Sequence, residues 1–272
     1  MTSVRRRCLG ALVLCLWFGA AVVAQETVVA PDDVVEEQII YSPGWPLRVR
    51  AYVYTPPGEG PFPLLIWNHG GAMGVLGYTR VMCRAWAARG YVVGASEFRG
   101  QGRSSGVRVI RGKEADDVLA LIDVLCERDT VDARRLFMIG HSFGGGVTLH
   151  TCTRTNRLCA AVAASAWTDL ANWGKRRPQL DNSTSLLARF LHRHSPITHM
   201  EDLGCPLLIV HGRKDPTVGF LQAELLAERL DELGKPFETM WLDDAQHGTP
   251  QRPDVTQRIL AFFAAHDPGP TS

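Results

Sequence analysis

A serine bracketed by glycines, Gly140-His141-Ser142-Phe143-Gly144, is the point in this 272-residue chain where residue type and spacing most directly allow chemistry. A serine hydroxyl is a weak nucleophile at neutral pH. It needs a base to take its proton, a carboxylate to orient that base, and N–H donors for the negative charge its attack creates. Two later segments hold candidates: Asp215 in His211-Gly212-Arg213-Lys214-Asp215-Pro216, and His247 in Asp243-Asp244-Ala245-Gln246-His247-Gly248. An imidazole with an unperturbed pKa of about 6.5 suits proton transfer in both directions. A carboxylate on its other nitrogen fixes the tautomer and stabilises the imidazolium. Taken alone, the glycine-flanked serine is equally compatible with a chance turn.

The elements that must position these residues are legible from periodicity. Residues 135–139 form an apolar run of strand length before the serine, and 147–150 continue a helix after it. A tight strand-to-helix turn strains the serine backbone and leaves room only for glycine where strand and helix approach. It also puts the hydroxyl at a helix N-terminus, which favours developing negative charge. Residues 62–67 read as a strand buried on both faces, ending in Asn68-His69-Gly70-Gly71. Further strands are expected over 91–96, 160–166, 206–210 and 237–242. Helices are expected over 78–89, 114–127, 185–194, 221–233 and 255–265. Residues 38–41 and 47–54, joined by the turn signal Ser42-Pro43-Gly44, make an antiparallel hairpin at one sheet edge, with 28–37 as a lead-in. Strands alternating with helices imply an α/β fold, a mostly parallel sheet with helices on both faces. Active sites of such sheets lie at the carboxyl ends of the strands, where Ser142, Asp215 and His247 all fall. Residues 168–203 interrupt the alternation and are read as a short cap insertion over a pocket.

Composition narrows the classes. With 46% hydrophobic and 21% charged residues the chain can bury one large core. A net charge of +1 gives no basic excess for nucleic acid. Arg5, Arg6 and Arg7 precede an apolar stretch over 9–23 that is short for a bilayer span, and Val22-Val23-Ala24 offers small residues for cleavage. Residues 1–24 are therefore expected to be a signal peptide, leaving residues 25–272 as a single secreted or periplasmic domain with no stable membrane anchor. An uncleaved anchor is the alternative. Removing three arginines changes the formal charge from +1 to about −2 and leaves five cysteines, an odd number. Cys152 and Cys159 are the best candidate disulfide, with buried unpaired thiols the open alternative. No Cys/His spacing reads as a metal site, and no cofactor is expected.

The Ser…Asp…His order resembles that of α/β-hydrolases. Over residues 38–265 the chain is most similar to the catalytic domain of the prolyl oligopeptidase (S9) family and its dienelactone-hydrolase and carboxylesterase relatives. The resemblance rests on Asn68-His69-Gly70-Gly71, the Arg-Gly-x-Gly-x-Ser run at 99–104, the segment around Ser142, Ser195-Pro196-Ile197, and His211-Gly212-x-x-Asp215. It implies Ser142 as nucleophile, His247 as base and Asp215 as acid, with the N–H groups of Phe143 and Gly71 as the oxyanion hole. Two departures stand out. Gln246 occupies a position where the family usually has glycine, and the sequence read here carries no propeller domain, which weighs toward a stand-alone esterase.

Other polar residues have plainer readings. His141 is expected to point into the turn, and His69 to brace the glycine loop. Asp243 and Asp244 lie too close to His247 along the chain to serve as its acid, and Asp169 would be an unusual substitute. His192, His194 and His199 read as solvated cap residues. Lys175, Arg176 and Arg177 read as a charged surface that could select an anionic group if the cap closes. Trp167 and Trp173 are candidate substrate contacts. The expected activity is cleavage of a small-molecule carboxylic ester. The first alternative is a serine peptidase acting on short peptides. A non-catalytic binding protein on the same scaffold is the reading least consistent with a complete set of three residues.

Overall fold

The computed structural model describes residues 33–108, 112–173 and 186–270. Eight strands form one sheet: β1 Val35–Tyr41, β2 Val49–Thr55, β3 Phe62–Asn68, β4 Val92–Ser96, β5 Val131–His141, β6 Ala160–Ala164, β7 Leu207–Gly212 and β8 Phe237–Leu242. Their spatial order is β1-β2-β4-β3-β5-β6-β7-β8. The β1–β2 and β2–β4 pairs are antiparallel and the remaining neighbours parallel, so the expected hairpin closes one edge.

Alternation along the central strands divides the core. Leu64 and Ile66 of β3 face one side, where α2 (Glu114–Cys126), α3 (Phe143–Cys152) and α6 (Leu221–Glu232) bury Leu121, Val147 and Leu226. Leu65 and Trp67 face the other, against Trp86 of α1 (Gly77–Ala87) and Phe263 of α7 (Pro253–His266). A strand with both faces covered must be apolar at every position, which is why β3 and β7 read as continuous runs. The chain steps from β3 outward to β4, then returns to β5 on the other side of β3. That reversal opens a crevice at the carboxyl ends of β3 and β5.

Three expectations need correction or limits. The segment 35–37 is already strand, because Glu36 and Glu37, on opposite faces of an edge strand, are paired with Arg80, Arg84 and Arg128. The Cys152–Cys159 disulfide is not formed, and all five described cysteines are free thiols. Cys152 is buried against Cys205, whereas the Cys159 thiol donates to the Arg134 carbonyl at 3.1 Å. The proposed signal peptide and Lys175, Arg176 and Arg177 lie outside the described residues. Of the cap insertion, α4 (Leu170–Trp173), α5 (Leu186–Arg193) and a 3₁₀ segment at Pro196–Asp202 are described. Among the described residues no helix is long and apolar enough to cross a membrane.

Candidate active site

Ser142 sits between the end of β5 and the start of α3 with φ +55°, ψ −115°, a conformation rarely adopted by a residue with a side chain. The surroundings enforce it. The Ser142 N–H donates to the Ala164 carbonyl of β6 at 2.9 Å, and the Ser142 carbonyl accepts from the Gly145 N–H at 3.0 Å. The flanking glycines are a packing requirement. A Cβ on Gly144 would lie 2.0 Å from the Asn68 carbonyl oxygen, and one on Gly140 would lie 2.2 Å from the Gly144 carbonyl oxygen. Helix and strand therefore approach more closely than any other residue allows.

Residues far apart in sequence meet at this turn. His247 Nε2 lies 2.9 Å from Ser142 Oγ, and His247 Nδ1 lies 2.7 Å from Asp215 Oδ2. With the Nδ1–H donating to the carboxylate, the Nε2 lone pair faces the serine hydroxyl, the arrangement a general base requires. Asp215 is buried, and burial by itself disfavours its charge. Hydrogen bonds from His211 and His247 and from the Val218 and Thr217 N–H groups outweigh that, holding the carboxyl well below the usual carboxylate range. Asp215 is thus held as an ionised acceptor for the His247 Nδ1–H.

Two supporting contacts were not foreseen from sequence. The His141 ring lies 4.9 Å from that of His247, tilted by 44°, and its Nε2–H donates to the His247 carbonyl at 2.8 Å. Burial lowers the His141 pKa to about 4, so it is neutral, with the Nε2 proton assigned by the carbonyl acceptor. His211 Nε2–H is 2.9 Å from the Val218 carbonyl and 3.4 Å from Asp215 Oδ2, bracing the carboxylate from behind. The i,i+4 spacing of His211 and Asp215 was the available signal. Nothing in the sequence marked His141 as a partner of His247.

The glycine loop after β3 lies against the serine. A Cβ on Gly70 would lie 3.2 Å from Ser142 Cβ, while Gly71, at φ +76°, has open space beside it. Gly71 and the first turn of α3 border a pocket of about 160 Å³ that includes Ser142 and is walled by Phe143, Trp167, Leu170, Thr217 and Val218, with Arg108 at its margin. First-turn helix N–H groups have no intrahelical acceptor, so the Phe143 N–H is available to a ligand oxygen. His69 is buried beneath the loop, and burial lowers its pKa to about 4. Its Nδ1–H donates to the Gly70 carbonyl at 3.0 Å.

The remaining candidates are directed elsewhere. Asp243 pairs with Arg213 at 2.8 Å, and Asp244 with Arg252 at 3.2 Å, both on the surface. Asp169 accepts from the Ala171 N–H at 2.9 Å. His194 and His199 bond to backbone carbonyls of the cap, and His192 is exposed. No cluster of metal-ligating side chains occurs among the described residues. Trp167 lines the pocket. Trp173 ends α4, and its side chain is outside the described residues. A roomier cleft of about 240 Å³, bordered by His150, Arg154, His194 and His199, does not include Ser142. The ring of Trp167 touches Phe143 of the pocket and His150 of this cleft.

The model of the prolyl oligopeptidase family matches residues 79–267. The uncharacterized peptidase YuxL of Bacillus subtilis is 28% identical over 261 residues, covering 87% of this chain and 38% of YuxL. Among solved structures, the acylaminoacyl peptidase of Pyrococcus horikoshii superposes with a TM-score of 0.74 at 18% identity, over 88% of this chain and 43% of that one. The Pyrococcus furiosus esterase Pf2001 superposes with a TM-score of 0.70 at 20% identity, over 88% of this chain and 96% of that one. The chain thus spans under half the length of the two peptidases and almost all of the esterase. With its sheet order, these likenesses identify the α/β-hydrolase fold.

Proposed function

The chain belongs to the prolyl oligopeptidase family, and on that footing we propose that it is an exported serine hydrolase cleaving carboxylic esters through an acyl-enzyme on Ser142. The observation that carries this reading is the continuous relay from Ser142 Oγ through His247 to Asp215, at 2.9 and 2.7 Å. In the proposed cycle Ser142 Oγ attacks the ester carbonyl carbon while His247 Nε2 takes the hydroxyl proton. The carbonyl oxygen becomes an oxyanion held by the Phe143 and Gly71 N–H groups, each worth about 3 kcal/mol of transition-state stabilisation. Collapse breaks the bond to the alcohol oxygen, which leaves with the proton from His247. A water, deprotonated by the same imidazole, then attacks the acyl carbon and releases the acid. The apolar walls of the pocket beside Ser142 suit an acyl chain, which supports the ester reading.

A second reading, a serine peptidase acting on short peptides, is favoured by the family and by the peptidase name of YuxL. The same groups serve it, with His247 protonating a departing amine. Comparing p-nitrophenyl acyl esters with aminoacyl p-nitroanilides separates the two. Esters are expected to have the larger kcat/KM, and anilide turnover at ester-like rates would move the assignment to the peptidase. Export is supported by the basic-then-apolar segment over 1–24. Amino-terminal sequencing of protein from the culture medium or periplasm is expected to begin near Gln25, and an intact Met1 there would contradict it.

A further inference from the structure

The pocket beside Ser142 pairs an apolar wall with one cation. Phe143, Trp167, Leu170 and Val218 supply hydrocarbon surface, and Arg108 is the one charged side chain among its described lining residues. The Arg108 guanidinium lies over the Phe143 ring, 5.0 Å from its centroid. Phe143 is the residue directly after the nucleophile, so the cation is held next to the reacting centre. A guanidinium lying on an aromatic face keeps its fork of N–H donors free at the edge, the geometry that grips a carboxylate with two parallel hydrogen bonds.

Arg108 also differs from Arg99 in having no carboxylate partner among the described residues. Arg99, on the same loop, is occupied by Asp117, with Nη2 2.6 Å from Oδ1 and Nε 3.0 Å from the same oxygen. Among the described residues no carboxylate pairs with Arg108. Yet its loop is fixed in place. Ser104 Oγ accepts the Arg50 N–H at 3.0 Å, Ser105 Oγ accepts the Arg48 N–H at 2.8 Å, and the Ser105 N–H donates to the Arg48 carbonyl at 2.9 Å, tying the loop to β2. Gly100, at φ +67°, lets the chain fold back so closely that a Cβ there would lie 2.3 Å from the Arg108 backbone nitrogen. The loop's hydrogen bonds and packing thus present this cation at the pocket rim with no carboxylate partner among the described residues.

From this arrangement we infer that Arg108 forms a carboxylate subsite, and that the preferred substrates carry an acyl chain ending in a carboxylate, the monoesters of dicarboxylic acids. The methylenes of such a chain fill the apolar walls and the terminal carboxylate meets Arg108. The inference rests on the serine-hydrolase reading and narrows it to a substrate class.

The test compares mono-p-nitrophenyl adipate with p-nitrophenyl hexanoate, acyl chains of equal length that differ in the terminal carboxylate, after subtracting spontaneous hydrolysis. The wild-type kcat/KM ratio is expected to favour the adipate by about tenfold at low salt, the scale of a charge-assisted hydrogen bond at a partly exposed site, and to shrink as salt rises. Arg108→Gln should bring the ratio to about one, Arg108→Glu should invert it, and Arg108→Lys should keep part of it. Arg108 is exposed, so each variant is expected to hold the wild-type thermal midpoint. Fluorophosphonate labelling of the wild type separates the two levels of failure. No labelling and no ester turnover would remove the hydrolase reading and the subsite with it. Labelling and turnover with a wild-type ratio near one, or a ratio unmoved in Arg108→Gln, would overturn the subsite alone.

Discussion

Acid should begin to destabilise this fold below about pH 6.5, because three histidines are buried in neutral form. His69, His141 and His150 each have their pKa lowered from 6.5 to about 4, with burial the leading cause. On unfolding each recovers its ordinary value and takes up a proton. The folded state binds fewer protons, so stability rises with pH. The contribution is complete above about pH 6.5, is lost as pH falls, and is gone below about pH 4. Each histidine contributes about 3 kcal/mol across that window, and near its middle the three together give a slope of about 4 kcal/mol per pH unit. Carboxylates, at about 3.9 to 4.3, titrate at the acid end of the window, so the slope between about pH 5 and 6.5 reports chiefly on the histidines. His150 is the one to vary, because His69 and His141 touch the site. His150→Phe keeps a ring against Trp167 and removes one titrating group. Urea denaturation at a series of pH values between 4 and 7 should give a ΔG–pH slope about one third smaller for the variant. Parallel curves for the two proteins would refute the assignment of buried neutral histidine.

Three further outcomes follow from the same geometry. Asp215→Asn should lower kcat by about 10⁴-fold with little change in fold, because an amide facing His247 Nδ1 favours the tautomer that cannot accept the Ser142 proton. Steady-state kinetics and circular dichroism check it. His141→Ala should lower kcat about tenfold or more with a smaller effect on KM, since the His247 carbonyl loses its 2.8 Å donor, and His141→Gln should restore part of the loss by returning an N–H to that carbonyl. A KM-dominated effect, or no rescue, would assign His141 to packing alone. Gly144→Ala should destabilise the fold by about 3 kcal/mol in urea denaturation, because its Cβ meets the Asn68 carbonyl, whereas Gly71→Ala should cost about 1 kcal/mol from positive φ with no clash.

The sequence was most legible where one local constraint decides the structure. The glycines at 140 and 144 can be read as an obligatory close approach, and the apolar run of β3 as a strand covered on both faces. The ends of β7 and β8 followed from the same logic, and so did the places of Asp215 and His247. Edge strands were harder, since Glu36 and Glu37 look like loop residues until their arginine partners on α1 and at Arg128 are known. β5 also runs four residues earlier than its apolar core, because Val131 and Asp132 pair with Phe62 and Pro63 before a register shift. Contacts between distant loops were illegible. The His141–His247 bond spans 106 positions, and no periodicity encodes it. The same holds for Cys152, whose neighbour is Cys205 rather than the nearby Cys159. The cationic run read from sequence at 175–177 lies outside the described residues; among the described residues the cation at the pocket margin is Arg108, on the loop after β4, which no motif marks.

In the proposed cycle Ser142 carries the substrate's acyl group, activated by His247 and Asp215. The most direct measurement is rapid-quench mass spectrometry of the protein mixed with p-nitrophenyl acetate. A burst of p-nitrophenol is expected, matched by one acetyl adduct on the peptide containing Ser142 and absent in Ser142→Ala. Steady turnover surviving in Ser142→Ala, or an adduct located elsewhere, would contradict it.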